Sequence, residues 1–426
     1  MTDTIYALSS GRPPAAIAVL RISGPDAISA GRRLAGDLPP ARTAALRTLR
    51  TAAGEPLDRA LVLVFPGPKS ATGEDLVELH LHGGRAVVAA VEAELATLPG
   101  LRAAIAGEFT RRALEHGRLD LAEAQGLADL LAAETEAERK SAFAAAEGEI
   151  SRQVAAWLSR IAHLSALVEA SLDYSDEDDV GAAPLVAIHD DIADLATTIA
   201  AVLARPTVER LREGITVVFA GPPNTGKSSL FNALLARDAA IVTDQAGTTR
   251  DVLEASVQRD GTNFVLIDTA GLRADTEDAI ERIGIARAGN AIARADILLW
   301  LGEATDAPEG ATIVHARSDA SDRGAVPAGA LATSITDQAS IQALWNHLQQ
   351  RAATIMPSVS TALLHQQQRD RVVSAHIALT HATVESDLLL VAEQLRTART
   401  DLASLLGVDA TEVMLDALFT RFCVGK

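Results

Sequence analysis

The chain is short of cysteine, of aromatic side chains and of long apolar runs, and these shortages exclude several classes of protein. One cysteine, Cys423, in 426 residues excludes an intramolecular disulfide framework and predicts a reducing compartment. The sequence contains no signal peptide and no stretch of about 18 uninterrupted apolar residues. We therefore expect a cytoplasmic protein that does not enter a membrane.

Basic residues are also in the minority. The chain has 38 Lys and Arg against 56 Asp and Glu, a formal net charge of −18. A protein this acidic does not attract nucleic acid through its overall charge. No broad basic run is visible, so any contact with RNA requires a local basic patch or a partner that supplies one.

Hydrophobic residues form 48% of the chain but aromatic residues only 3%. Ala and Leu dominate the second quarter and the last sixth, which is typical of helices packed by small side chains. A chain of this length is expected to form two or three domains.

Four stretches differ in their pattern. Residues 1–118 mix short β-like runs over 16–22, 60–65 and 76–81 with helical stretches around 26–35 and 86–97, which predicts a compact α+β domain. Residues 119–213 are helical, residues 214–356 alternate strands and helices, and residues 357–426 are helical again. The simplest architecture is multidomain α+β and α/β, in which a nucleotide domain with a mixed sheet is inserted into a discontinuous helical domain. The acidic cluster 173–179 is either a solvated loop or a cation site.

The run Gly221–Ser228 matches the phosphate-loop pattern G-x-x-x-x-G-K-[ST]. It follows a buried strand predicted over 215–220 and precedes a helix predicted over 228–235. In that context backbone N–H groups wrap phosphate oxygens, Lys227 reaches the outer phosphates and the Ser228 hydroxyl is a ligand for Mg²⁺.

Two further motifs follow in the order that a GTPase requires. Thr248 and Thr249 lie where a first switch is expected, and Thr249 is placed to close on Mg²⁺ and the γ-phosphate. Asp268, at the end of a predicted strand, begins Asp-Thr-Ala-Gly, in which Gly271 can present its N–H to the γ-phosphate. The sequence therefore predicts a GTPase with a Ras-like P-loop G domain. The predicted nucleotide-binding residues are Asn224, Thr225, Gly226, Lys227, Ser228, Ser229, Thr243, Thr248, Thr249, Asp268, Thr269, Ala270, Gly271 and Asp319.

Catalysis is expected to differ from that of Ras, because Leu272 stands where a glutamine would orient the attacking water. The Asn224 carbonyl, with backbone carbonyls of residues 243–248, could hold a monovalent cation that supplies the charge of an arginine finger. Alternatively, Asn224 is only a turn residue.

Base recognition depends on a degenerate motif. The usual N-K-x-D is replaced by Ala316-Arg317-Ser318-Asp319. Asp319 can still accept from two guanine donors and Arg317 can cover the base. Without the asparagine amide at position 316, the binding free energy is weaker by roughly 0.5–1.5 kcal/mol, so we expect weak but guanine-selective binding. The usual S-A-K segment is likewise replaced by residues 334–336.

Motifs along the whole chain resemble the MnmE/TrmE family, tRNA-modification GTPases that act on the wobble uridine. They comprise Val19–Gly24, Thr72–Glu78 with His80, His82, Gly83 and Gly84, Gly107–Ala113, Gly117–Asp120, Thr243–Asp251 and the ending Phe422–Lys426.

The resemblance implies a homodimer formed through a folate-binding N-terminal domain. It also implies a heterotetramer with an FAD- and NADH-using subunit of the MnmG/GidA family. That complex would add an aminomethyl-type group to C5 of uridine-34 of tRNA, with a 5,10-methylene or 5-formyl tetrahydrofolate as the one-carbon donor.

The resemblance also implies roles for individual residues. Arg21, Glu78, Arg118 and Lys426 would contact the folate. The K⁺ ligands would be Asn224, Thr243, Gln245 and Thr248. Glu281 would help position the attacking water, so the catalytic residues would be Glu281, Asn224 and Thr249.

Several of these residues have a second interpretation. Arg21 and Arg118 could form ordinary surface ion pairs. His80 and His82 could bind a metal, although packing and hydrogen bonding suit them better. Cys423 is either a nucleophile activated by the neighbouring ammonium or a small buried hydrophobe.

Two functions of another class compete with tRNA modification. One is a regulatory GTPase of ribosome assembly, although such proteins usually carry a basic RNA-binding appendage that this acidic chain lacks. The other is a GTP-dependent dimerisation scaffold, which leaves the terminal Phe422–Lys426 motif without a purpose.

Overall fold

The computed structural model describes residues 3–173, 183–235, 253–269, 289–321, 323–356, 361–408, 412–420, 422 and 424–425. The chain divides into two compact units. The first unit comprises Met1–Leu131, Ala145–Ile199 and Arg371–Lys426, and the second comprises Ala132–Ala144 and Ala200–Asp370. None of the described helices has the length and apolarity needed to span a membrane.

The first unit contains a six-stranded sheet. Its strands are β1 (Thr4–Leu8), β2 (Ile17–Ser23), β3 (Ala45–Arg50), β4 (Pro56–Phe65), β5 (Leu76–His82) and β6 (Leu101–Ala103). Their order is β3-β4-β5-β2-β1-β6, and all neighbours are antiparallel except β1 and β6. Helices α1 (Ala27–Ala35) and α2 (Arg85–Ala96) pack on one face through alternate strand residues such as Leu20, Val62 and Leu79.

The predicted strands over 16–22, 60–65 and 76–81 and both predicted helices are confirmed. Strands β1, β3 and β6 were not predicted. Arginines interrupt the apolar pattern of β3, and β6 has only three residues, so neither carries a local strand signal.

Helices form the rest of the first unit. Their bounds are α3 (Glu108–Glu115), α6 (Glu149–Asp173), α12 (Leu388–Ser404) and α13 (Glu412–Phe419). Four more helices, α4 (Leu121–Ala132), α5 (Glu136–Ala146), α7 (Ala183–Leu203) and α11 (Gln366–Ala382), have residues in both units. Helices α6 and α12 pack along each other. Buried residues recur every three or four positions, as in Val154, Trp157 and Ile161 of α6 and Leu395 and Ala398 of α12. Apart from Trp157, small and branched side chains predominate among these buried residues, as the composition indicates.

The second unit is α/β with a mixed sheet, as predicted. Its strands are β7 (Ile215–Ala220), β8 (Leu253–Arg259), β9 (Thr262–Asp268), β10 (Ile297–Trp300), β11 (Thr312–Ala316) and β12 (Leu331–Thr333), and its helices are α8 (Val208–Glu213), α9 (Lys227–Leu235) and α10 (Gln338–Ile355), with residues 289–294 also helical. The order is β12-β11-β10-β7-β9-β8, and only β8 and β9 are antiparallel. The parallel strands place the ends of β7, β9 and β11 at one edge of the sheet.

A buried arginine joins three segments of the first unit. The Arg112 side chain is fully buried, and Nη1 lies 3.1 Å from Glu74 Oε1 and 3.0 Å from the Asp3 carbonyl oxygen. Nη2 donates to Glu108 Oε1 at 3.1 Å and to Asp3 Oδ1 at 2.9 Å. These bonds connect the start of β1, the loop before β5 and α3.

Two carboxylates of this network, Glu108 and Asp3, have lowered pKa values. Burial favours the neutral form of Glu108, but hydrogen bonds from Arg102, from the Ile105 N–H and from Arg112 outweigh it and lower the pKa of Glu108. Burial likewise opposes ionisation of Asp3, and the guanidinium groups of Arg102 and Arg112 lower the pKa of that carboxyl. Both groups therefore stabilise the fold above their unfolded pKa values and lose that contribution as pH falls through the lowered ones.

We expect Arg112→Met to destabilise the first unit by about 3–5 kcal/mol, because it leaves buried carboxylates without their cation. The free energy of unfolding of the wild type should decrease when the pH is lowered below about 4, and that of the variant should decrease less. Thermal unfolding at pH 7 and pH 4, with hydrogen exchange to localise the change, measures both effects. The control is Arg396→Met, which removes an exposed pair with Glu393 within α12 and should barely change the melting temperature. Equal effects of the two substitutions would contradict this account.

Candidate functional site

The phosphate loop lies between β7 and α9, as predicted. The chain turns through left-handed conformations at Asn224 (φ +63°) and Gly226 (φ +96°) before α9 begins at Lys227. This path directs successive N–H groups into the loop, at the positive end of the helix dipole. The arrangement suits the phosphates of a nucleotide.

The Lys227 side chain is held within this loop. Lys227 is only 6% exposed, and its Nζ donates to the carbonyl oxygens of Gly221 at 3.0 Å and Pro222 at 2.6 Å. A largely buried ammonium on a rim of backbone N–H groups attracts an anion. The donor set therefore fits a polyphosphate.

Asp268 and Thr269 lie next to the phosphate loop because β9 runs parallel to β7, so that both strands end at the same edge of the sheet. Asp268 pairs with Phe219 and is fully buried, and Thr269 Oγ1 donates to the Phe219 carbonyl oxygen at 2.7 Å. A buried carboxylate beside a phosphate loop fits a divalent cation, with the Ser228 hydroxyl in the first turn of α9 as a further oxygen ligand. The Thr269 side chain, by contrast, ties the two strands together.

The base-recognition loop follows β11. Arg317 has a left-handed backbone (φ +58°), and its Cγ and Cδ lie within 4 Å of the position that a Cβ on Gly226 would occupy. The stem of Arg317 therefore covers the phosphate loop. Asp319 is exposed, and hydrogen bonds from Ser334, from its own backbone and from Thr336 lower its pKa, so it is anionic at neutral pH.

Ala316 stands where the usual motif has asparagine, and its neighbourhood can be described. Ala316 is buried at the end of β11 and pairs with Thr333 of β12. Thr333 Oγ1 is buried and has no hydrogen-bond partner within the described part of the chain. Arg323 Nε donates to the Ala316 carbonyl oxygen at 3.1 Å and so holds the loop by its backbone instead.

Several predicted site residues lie outside the described residues. They are Thr243, Gln245, Thr248, Thr249, Ala270, Gly271, Glu281, Cys423 and Lys426. Of the predicted K⁺ ligands only Asn224 is described.

In the first unit Arg21, Glu78 and His80 share one face of the sheet. Arg21 pairs with Glu78 across β2 and β5, and Arg21 Nε lies 2.8 Å from Glu78 Oε1. His80 Nε2 lies 3.2 Å from Glu78 Oε2. Glu78 therefore bridges a guanidinium and an imidazole on a partly exposed surface. This set offers a carboxylate acceptor and the cationic donors of the Arg21 guanidinium.

Arg118 is connected to the same face through the loop before β5. Arg118 Nε donates to the Ser70 carbonyl oxygen at 3.1 Å, and Ser70 Oγ donates to the Glu74 carbonyl oxygen. Glu74 and Thr72 are bonded to the side chain of Ser23, which lies two residues beyond Arg21 on the same face of β2. The structure thus connects Arg21 and Arg118, which lie far apart in sequence.

The C-terminal tail reaches this sheet from the far end of the chain. Val424 forms an isolated antiparallel β-bridge with Ala106, and Ser9 Oγ donates to the Gly425 carbonyl oxygen at 2.7 Å. Gly425 has φ +94°, and a Cβ there would lie 2.1 Å from the Leu8 carbonyl oxygen. Only glycine fits, so the terminal motif is shaped to approach β1, next to the strand that carries Arg21.

The two histidines of β5 act as hydrogen-bonding groups. His82 Nδ1 lies 2.7 Å from Asp58 Oδ1, and the His82 N–H donates to Asp58 Oδ2. His80 contacts Glu78. No group of three or more potential ligands that could hold a metal occurs among the residues with described positions.

Comparisons with known proteins cover nearly the whole chain. The family model "GTP-binding protein TrmE N-terminus" matches residues 4–118, and "MnmE helical domain" matches residues 121–423. Proteins named tRNA modification GTPase MnmE from Erythrobacter litoralis, Novosphingobium aromaticivorans and Rhizorhabdus wittichii are 54%, 51% and 53% identical to it. Each alignment covers all of this chain, and 100%, 100% and 97% of the respective relative.

The chain belongs to the MnmE/TrmE family. Among solved structures, the G domain of the T. maritima FeoB iron transporter overlaps 32% of this chain at a TM-score of 0.24 and 21% identity, too slight a likeness to bear on the fold. The family resemblance expected from the sequence motifs is thus confirmed over the whole chain.

Sequence reasoning missed the residues that support the candidate site. Arg112, Glu74 and Glu108 lie in motifs that carry the family resemblance, but they form an internal network and were not singled out. Ser23 lies in the motif Val19–Gly24 and Thr336 in the segment that replaces S-A-K, but neither position indicates its partner. Each acts through a partner that is distant in sequence or lies across a turn.

We expect Gly425→Ala to release the C-terminal tail from β1, because its Cβ would clash with the Leu8 carbonyl. Hydrogen exchange at Val424 should become markedly faster while the melting temperature changes little. The matched control is Gly54→Ala. Gly54 also has a positive φ (+86°), but no atom lies within 4 Å of the new Cβ. Unchanged exchange in the Gly425 variant would mean that the tail accommodates a side chain.

Proposed function

We propose that the chain is a K⁺-dependent GTPase of the tRNA wobble-uridine modification complex. The observation that carries the proposal is the phosphate loop, with Lys227 and the fully buried Asp268 beside it, in a member of the MnmE/TrmE family. The relatives that match over the full length are named tRNA modification GTPase MnmE. Family membership and the docked terminal motif favour this function over a ribosome-assembly regulator or a dimerisation scaffold.

The residues of the loop bind and orient the GTP phosphates. Lys227 and the N–H groups at the start of α9 hold the phosphate oxygens, and residues 225–229 surround them. Ser228, Thr249 and the nearby Asp268 would hold Mg²⁺, which supplies positive charge to the developing phosphate oxygens when bound. Ala270 and Gly271 would present backbone N–H groups to the γ-phosphate.

Hydrolysis requires groups other than a glutamine. Asn224, Thr243, Gln245 and Thr248 would hold K⁺, which supplies the charge of an arginine finger when bound. The left-handed, exposed Asn224 supports this role, since its side chain is free to face a ligand at the loop. Glu281 would position the attacking water. Asp319 accepts from the guanine donors and Arg317 covers the base.

The face of the first unit fits a tetrahydrofolate. Arg21 and Arg118 suit the glutamyl carboxylates and Glu78 suits the pterin donors. Lys426, which follows Gly425 in the sequence, would contribute a further cationic contact. When bound, the folate supplies the one-carbon unit for C5 of uridine-34. Cys423 lies in the same tail, as either a nucleophile or a packing residue.

The partners are a second copy of the chain, a tRNA and an FAD-dependent subunit that uses NADH. The sheet face that carries Glu78 also exposes Ile17, Leu46 and Leu61, each more than 40% accessible. Apolar side chains clustered on one face favour burial against another protein, which supports a homodimer through the first unit. We propose that the homodimer and the FAD-dependent subunit form a heterotetramer in the cytoplasm.

We expect GTP hydrolysis to be accelerated by KCl over NaCl, and we expect ATP to compete poorly. Asn224→Ala should reduce the K⁺ stimulation about tenfold or more while GTP binding stays nearly intact. Steady-state phosphate release in each salt measures this. The control is Asn346→Ala, an exposed asparagine on α10 that should leave the stimulation unchanged. Undiminished K⁺ dependence in the Asn224 variant would remove that residue from the cation site.

We expect Arg21→Gln to weaken binding of 5-formyltetrahydrofolate by about tenfold or more, since it removes a charge-assisted contact. Isothermal calorimetry measures it. Deletion of Lys426 should likewise weaken folate binding more than GTP binding. The control, Arg47→Gln, removes an arginine of the same sheet that instead donates to the Asp37 carbonyl beyond α1. Wild-type folate affinity in both test variants would defeat the assignment.

A further inference from the structure

The hydroxyl of Thr336 holds the carboxylate of Asp319. Thr336 Oγ1 donates to Asp319 Oδ2 at 3.0 Å. Ser334 Oγ lies 2.7 Å from Thr336 Oγ1 and accepts from the Thr336 N–H at 3.2 Å. Asp319 and the two hydroxyl groups thus form one hydrogen-bonded cluster after β11 and β12.

The segment that carries Thr336 is itself fixed to α10. Ser334 is 2% exposed, and its N–H donates to Ser340 Oγ at 2.9 Å. The Asp337 side chain caps α10 by accepting from the Ala339 N–H at 2.9 Å. Thr336 therefore lies between two anchored neighbours, and its hydroxyl has a defined position although the residue is exposed.

Asp319 has no such support from burial. It is exposed on a loop whose backbone is held by the Arg323 bond to the Ala316 carbonyl and by the Ser318 N–H, which donates to the Thr333 carbonyl. An exposed aspartate samples several side-chain rotamers, and ordering it on binding reduces affinity. The carboxylate accepts from Thr336, from Ser334 and from its own backbone. Because a carboxylate has about four acceptor sites, it can still accept a hydrogen bond from a ligand.

We propose that Thr336 is a positioning residue for base recognition. It orients Asp319 toward a purine that presents a ring N–H and an adjacent exocyclic amino group, and so offsets the loss of the asparagine and lysine of the usual motif. This inference rests on the proposed GTPase function. It assigns a role to a threonine that stands where the usual S-A-K segment has lysine.

The test compares binding of GDP, IDP and ADP, with Mg²⁺, to the full chain. IDP keeps the ring N–H but lacks the exocyclic amino group, so the GDP/IDP affinity ratio reports the contact of that amino group with Asp319. We expect Thr336→Val to weaken GDP binding about fivefold to tenfold and to bring the GDP/IDP ratio toward one. Thr336→Ser keeps the hydroxyl and should restore both values.

Thr333→Val is the matched control. It removes the same atom three residues earlier, where the hydroxyl has no hydrogen-bond partner among described residues, and should leave the GDP/IDP ratio unchanged. A GDP/IDP ratio in Thr336→Val equal to that of the wild type would overturn the inference while leaving the GTPase proposal intact. Equal wild-type affinity for GDP and ADP would instead overturn the proposed function together with this inference. If the GDP/IDP affinity ratio also falls toward one in Thr336→Ser, the ratio depends on packing and not on the hydroxyl, and the inference is overturned.

Discussion

The return of the C-terminal tail to the first strand is the contact on which the candidate folate site depends. Ser9 and Gly425 are 416 positions apart, and closing so long a loop costs on the order of 5 kcal/mol in chain entropy. The Ser9–Gly425 hydrogen bond and the Val424–Ala106 bridge do not offset that cost, because a hydrogen bond contributes only about 0.5–1.5 kcal/mol. Phe419 and Phe422 are 3% and 4% exposed in a cluster with Leu121, and buried side chains of this size contribute roughly 1.5–3 kcal/mol each. The aromatic anchors therefore hold the tail, and Gly425 permits its last step.

In the second unit the main constraint is the burial of charge, because its site holds charged groups at the edge of an apolar sheet. Parallel pairing of β7 with β9 brings Asp268 beside the phosphate loop without a long-range ion pair. Lys227 and Asp268 are both buried there, a costly arrangement for an isolated charge. The backbone carbonyls around Lys227 reduce that cost, and a bound polyphosphate with its cation would reduce it further.

Net charge gives little indication of where these groups act. The chain carries −18, yet the cations that matter are individual side chains inside networks, such as Arg112 among three carboxylates and Arg21 against Glu78. Such networks set the positions of loops. Arg112 fixes the loop before β5, and that loop holds Arg118 by the Ser70 carbonyl. Local electrostatics therefore shapes the site although the overall charge is unfavourable for nucleic acid.

Local patterns in the sequence determined the strands β2, β4, β5, β7, β9 and β11, the helix after the phosphate loop and the family to which the chain belongs. Those features have short-range causes: a period of two or of 3.6, a glycine turn, a strand followed by a helix. Only the tertiary structure decided that Gly425 meets Leu8, that Arg112 gathers Asp3, Glu74 and Glu108, and that Thr336 holds Asp319. Gly425 and Arg112 lie in motifs that carry the family resemblance, but those motifs do not indicate which residues they contact. Their partners become identifiable only after the chain has folded and placed distant segments within hydrogen-bond reach.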